Sequence, residues 1–161
     1  MIKDSGTRHE FESGAVRDIQ EGKGRCDLMP LRVVGSLYAW QFGDIGKVVN
    51  HIADFQETGH AQHLEKALAA FLHRSNWNGW ADMFLDVAKH FEEGARKYGE
   101  HNWQKGIPAH SYVDSAMRHY LKWLRGDPDE RHDRAFAWNI MCCIWTISVK
   151  PELNDYAGGE K

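Results

Sequence analysis

Phe136-Ala137-Trp138-Asn139-Ile140-Met141-Cys142-Cys143-Ile144-Trp145-Thr146-Ile147-Ser148 is apolar nearly all round. Wound at about 100° per residue, it leaves no polar face for water, so it belongs in the middle of a helical bundle. Asp127-Pro128 reads as the start of this helix, with aspartate as cap and proline at the first helical position, and Pro151 stops it. The expected element runs from about Pro128 to Ser148. Asn139 is polar inside the apolar run and must find a partner. A structural hydrogen bond and a substrate contact both satisfy that demand.

Working outward, the rest of residues 31–150 also reads as helices. Leu31 to Phe42 is broken by Gly43. Asp44 starts a second helix to about Gln56, and Gln62 to Arg74 is rich in strong helix formers. Trp80 to Tyr98 carries an apolar stripe at Met83, Phe84, Val87, Ala88, Phe91 and Ala95. Ser111 with Asp114 has capping-box spacing for a fifth helix that ends at Arg125-Gly126. No segment alternates with period two, so strands are not expected. Residues 1–30 are glycine-interrupted and charged, and read as an arm poorly ordered in isolation. Residues 151–161 read as a tail. The expected fold is all-α, a single domain with a buried C-terminal helix.

Composition narrows the function. The 161 residues are 42% hydrophobic and 27% charged, which suits one globular domain. A net charge of -3 argues against a strongly basic nucleic-acid binder. No apolar run is long enough to span a bilayer and Met1 to Ser5 holds no apolar signal core, so a cytoplasmic protein without a membrane partner is expected. Cys26, Cys142 and Cys143 make neither a disulfide framework nor a zinc pattern.

Three constellations could carry chemistry. In Phe91-Glu92-Glu93-Gly94-Ala95-Arg96-Lys97-Tyr98, Glu92 sits at the edge of the apolar stripe and can point into a cleft. Pairing with Arg96 on a solvated face is the plainer alternative. In Asp127-Pro128-Asp129-Glu130-Arg131-His132-Asp133, Glu130 and Asp133 are i,i+3, and two hard oxygens so placed suit Mg²⁺ or Mn²⁺. Capping explains Glu130 without a metal but not Asp133. Arg17, Lys23 and Arg25, among flexible glycines, could fold over phosphates or form a solvated basic arm.

Arg17-Asp18…Gly22-Lys23…Arg25…Asp27-Leu28…Pro30 is followed by Phe91-Glu92…Gly94-Ala95…Lys97-Tyr98-Gly99…Asn102-Trp103…Gly106. Then come Ser115-Ala116…Arg118-His119 and Asp129-Glu130…His132-Asp133…Trp138-Asn139. In order and approximate spacing these blocks resemble the phage and bacterial dATP/dGTP diphosphohydrolase family, itself similar to the MazG-like all-α nucleotide pyrophosphohydrolases. The resemblance covers residues 14–30 and 83–147, and leaves 43–78 as an insertion. MazG-like enzymes carry Glu-x-x-Glu on one helix and Glu-x-x-Asp on the next. Glu130 and Asp133 match the second pair, whereas Lys89 and Ala95 flank Glu92 where a glutamate would complete the first.

The resemblance implies metal-dependent hydrolysis of a purine deoxynucleoside triphosphate, dGTP or dATP or both, to monophosphate and pyrophosphate. Glu92, Glu93, Glu130 and Asp133 are the implied ligands of Mg²⁺ or Mn²⁺, with Glu92, Glu130 and Asp133 catalytic. Lys23, Arg25, Lys97, Trp103 and Asn139 are the implied nucleotide contacts, and Arg118, His119 and His132 would support them. A homo-oligomer, dimer or tetramer, is also implied. The sharpest expectation is that Asp133→Asn abolishes turnover; a merely structural aspartate there would pair with an arginine. Two rivals stand. An HD-type phosphohydrolase would use His132-Asp133 but needs another downstream aspartate, and Asp155 lies in the tail. A non-catalytic helical accessory protein would use its acidic residues only as caps.

Overall fold

The computed structural model describes residues 6–156. Six helices carry the fold: α1 (Leu31–Phe42), α2 (Asp44–Thr58), α3 (Ala61–Leu72), α4 (Trp80–Tyr98), α5 (Ala109–Arg125) and α6 (His132–Val149). The architecture is all-α. α6 is buried nearly all round, through Phe136, Ala137, Ile140, Cys142, Cys143 and Ile147, and packs against α3, α4 and α5. A helix without a polar face loses least by lying where neighbours cover every side.

The segment 43–78 belongs to this core. Val48, Ile52 and Phe55 of α2 and Leu64 and Phe71 of α3 are fully buried. Phe71 meets the rings of Trp77, Tyr120, Trp123 and Phe136. α1 crosses α2 closely because Gly46 has no side chain; a Cβ there would lie 2.6 Å from the Cβ of Ala39.

The arm gains its order from the bundle. Arg8–Glu10 and Val16–Asp18 pair antiparallel as β1 and β2, with His9 opposite Arg17. These three-residue strands are too short to show a period in sequence. Ala15 is fully buried, and Asn102 fixes Val16 by accepting from its N–H at 2.9 Å and donating to its carbonyl at 2.8 Å.

Three local expectations are corrected. α5 begins at Ala109, and neither Ser111 nor Asp114 caps it. Asp114 instead accepts from the Cys26 N–H at 2.7 Å and from Arg118, which ties the arm to α5. α6 begins at His132, not Pro128: Asp127 pairs with Arg125, and Asp129 with Lys122 and His132. Ion pairs with residues nearby in sequence engage the Asp127 and Asp129 carboxylates in place of a cap, which is worth only about 1 kcal/mol. On α4 the buried face is Met83, Asp86, Val87 and His90, while Trp80 and Phe84 stack on each other at the surface. Asp86 turns inward because Trp77 and Arg131 donate to it, at 3.2 and 2.6 Å.

Candidate functional site

A cavity of about 790 Å³ opens between the arm, the C-terminal half of α4, the 99–104 loop, α5, the segment before α6 and the middle of α6. One wall is cationic. Arg17 donates to the Ser111 carbonyl, Ser115 Oγ and Asn139 Oδ1 at 3.2, 3.1 and 2.8 Å. Its guanidinium lies 5.4 Å from the Tyr112 ring and 5.9 Å from the Trp138 ring, within cation–π range. Arg118 donates to the carbonyls of Lys23 and Gly24, which brings Lys23 to the cavity. Burial lowers the proton affinity of Lys23, and repulsion from Arg118, Lys97 and Arg17 lowers it further against the pull of Asp18. An anion bound here would relieve that repulsion.

A second wall is aromatic: Phe91 meets the rings of Trp103 and Trp138, and Trp138 also borders Arg17. The indole N–H of Trp138 and the side-chain amide nitrogen of Gln20 are buried without a hydrogen-bond partner. His90 packs 5.5 Å from the Trp138 ring; burial lowers its pKa to about 4, helped by Arg134.

At one end His119 Nδ1, His132 Nδ1 and Glu130 Oε1 converge. The separations are 3.0 Å between the nitrogens and 3.4 and 3.6 Å from them to the carboxylate. His132 Nε2 lies 2.7 Å from Asp129 Oδ1. Burial, followed by repulsion from His132, holds the pKa of His119 well below the usual imidazole range.

The family model for the dATP/dGTP diphosphohydrolase N-terminal domain matches residues 56–156, most of the chain and the greater part of the cavity walls. The chain belongs to this dATP/dGTP diphosphohydrolase family. No curated protein and no solved structure matches it. The match includes 56–78, part of the segment read as an insertion, and stops short of the 14–30 arm block.

The expected site residues divide. Lys23, Trp103, Asn139, Arg118, His119, Glu92 and Glu130 line the cavity. Asn139 is 2% exposed and already satisfied, accepting from Arg17 and donating to the Ala135 carbonyl at 2.8 Å. Arg25 pairs with Asp27 outside the cavity. Lys97 donates to Asp18 at 2.8 Å, just behind the wall. Hydrogen bonds from Lys97 and Tyr98 hold the Asp18 carboxyl below the usual range although burial opposes its ionisation.

The four implied metal carboxylates do not converge. Glu92 is exposed and paired with Arg96, the plainer of its two readings. Glu93 accepts from Arg134 at 3.1 Å. Asp133 is held by Arg131, from Nε at 3.0 Å and Nη2 at 2.8 Å. It lies in the first turn of α6, where it also accepts from the Arg134 N–H at 2.9 Å. With an arginine on each of these three, the quartet does not fit a divalent ion, and the HD reading loses the carboxylate it needs beside His132. Groups able to hold a metal do exist: His119, Glu130 and His132 are one of them. Among the described residues no helix is long and apolar enough to cross a membrane.

His90 and Lys122 were not legible as wall residues. They reach the cavity through helix packing that no local spacing encodes. Asp18 and Asp129 stood in the family blocks without an assigned role, and Arg17 in the basic glycine-rich block as a candidate for phosphates.

Proposed function

We propose that this protein hydrolyses dGTP, dATP or both to the nucleoside monophosphate and pyrophosphate, with a divalent ion, Mg²⁺ or Mn²⁺. One observation carries the reading: a cavity of about 790 Å³ with a cationic and an aromatic wall, in a domain of the dATP/dGTP diphosphohydrolase family. A nucleotide pairs a polyphosphate with a flat ring, and each wall suits one half.

In the reaction, water attacks the α-phosphorus. The bond from that phosphorus to its bridging oxygen breaks, pyrophosphate leaves, and the water's proton passes to solvent. Lys23 and Arg118 donate N–H bonds to phosphate oxygens and stabilise the growing charge on the leaving group. The base lies against Phe91, Trp103 and Trp138. The free N–H groups of Trp138 and Gln20 suit acceptor atoms on a purine edge. A bound divalent ion supplies charge neutralisation and an activated water. The assembly in this reading is a homo-oligomer, for which α1 offers exposed apolar Leu37, Trp40 and Phe42.

The test is incubation with each of the four common deoxynucleoside triphosphates and Mg²⁺ or Mn²⁺ in oxygen-18 water. Expected products are pyrophosphate and a monophosphate that carries the label. No turnover of either purine substrate refutes the reading; inorganic triphosphate plus nucleoside replaces it with the HD-type reaction.

A further inference from the structure

We propose that His119, Glu130 and His132 form a divalent-metal site selective for ions that accept imidazole nitrogen, such as Mn²⁺, with Asp129 orienting His132. This deepens the diphosphohydrolase reading, on which it rests, by naming the groups that hold its ion. The arginine-bound carboxylates Glu92, Glu93 and Asp133 stand outside the site.

The first ground is the triangle. Its edges of 3.0, 3.4 and 3.6 Å join donors from α5, from the first residue of α6 and from the segment just before it. At an ion about 2.1 Å from each atom they subtend roughly 90°, 110° and 120°, so the donors occupy one face of the coordination sphere. His119 and Glu130 also line the cavity, so the other face can take water and phosphate oxygens.

The second ground is Asp129. Its carboxylate accepts from His132 Nε2 at 2.7 Å, which keeps the ring proton on Nε2, so the Nδ1 lone pair faces the triangle, accepting from His119 Nδ1 until an ion takes that proton's place. Metal-binding histidines commonly donate their distal N–H to a carboxylate in this way. The third ground is charge. Glu130 is the implied carboxylate faced by two histidines instead of an arginine. A competing group, Asp127, Asp129 and His132, would need Nε2 without its proton, and Asp127 is already paired with Arg125. Imidazole with one carboxylate favours Mn²⁺ and later transition ions over Mg²⁺, which prefers all-oxygen shells.

The test titrates Mn²⁺ alone into the full chain without nucleotide, followed by electron paramagnetic resonance. The expected result is one bound ion with pulsed-resonance coupling to two imidazole nitrogens, a signature that needs no variant and so survives if His132→Ala fails to fold. His119→Ala and Asp129→Asn should each raise Kd by roughly tenfold or more. Glu92→Gln and Asp133→Asn should leave it within about twofold, since neither residue is a ligand or an orienting group in this site. An ion with only oxygen ligands, or a Kd unmoved in His119→Ala, overturns the site. Metal-dependent pyrophosphate release without nitrogen coupling retires this site and keeps the diphosphohydrolase; nitrogen coupling without turnover keeps the site and retires the activity.

Discussion

Replacing Arg17 by methionine tests how the arm is held. Arg17 makes three hydrogen bonds, to the Ser111 carbonyl, Ser115 Oγ and Asn139 Oδ1. Bonds from a charged donor contribute about 1.5–3 kcal/mol each. Against them stands the cost of partly burying a cation, several kcal/mol. Methionine keeps the apolar stem but leaves the Asn139 oxygen, in a residue only 2% exposed, without its donor. An unmet buried acceptor costs about 1–3 kcal/mol. The net loss expected is about 2–3 kcal/mol. At 2–4 °C per kcal/mol for a chain of this size, Tm should fall by roughly 5–10 °C. Differential scanning calorimetry measures the loss, and limited proteolysis near Gly14 should accelerate with it. Arg17→Met with Asn139→Leu removes both partners and should recover part of the stability. An Arg17→Met protein within about 0.5 kcal/mol of wild type, with an arm no easier to cut, would refute the reasoning.

Other outcomes follow from the same contacts. Asp133→Asn should keep near-normal turnover and cost about 1 kcal/mol, through its Arg131 pair and its place at the positive end of α6, in contrast to the loss of activity its sequence position suggests; abolished turnover in a folded variant would return Asp133 to the metal set. Phe71→Ala removes a fully buried ring in contact with four others and should cost about 3–5 kcal/mol by urea denaturation. Gly94→Ala should stabilise by up to about 1 kcal/mol because the added methyl meets nothing, whereas Gly46→Ala should destabilise by about 1–3 kcal/mol. His90, with its folded pKa lowered to about 4, stays neutral while the unfolded chain takes up its proton. Stability should therefore fall as pH drops from about 6.5 toward 4, by on the order of 3 kcal/mol, with a shallower slope in His90→Gln. His110, raised by its Asp155 hydrogen bond, has the opposite sign: its contribution is complete below about pH 6.5 and lost as pH rises through the folded value. Trp40→Glu should lower the particle mass by light scattering if α1 is a subunit contact; an unchanged oligomer would move the interface elsewhere.

Much of the architecture was legible because it depends on short-range chemistry. The all-apolar run from Phe136 to Ser148 demands a central helix whatever surrounds it. Gly43 and Gly126 end helices where left-handed backbone costs glycine least. The family blocks likewise mark most of the cavity wall. The helices do not start at Ser111 and Asp127 because a capping motif is worth only about 1 kcal/mol and the carboxylates took other partners: Asp114 the Cys26 N–H and Arg118, Asp127 its neighbour Arg125, and Asp129 Lys122 and His132. Spacing put Glu130 and Asp133 on one helical face, but in the fold Glu130 lies before the helix begins. Glu92 and Asp133 take arginines close in sequence, whereas long-range packing supplies the partners of the other two: Glu93 is neutralised from α6, and Glu130 is met by His119 from α5. Residue types and their order were enough to indicate a nucleotide-sized polar site in an all-α domain. Only the crossing of α4, α5 and α6 brought Arg134 to Glu93 and His119 to Glu130, because those partners are distant in sequence and meet only in space.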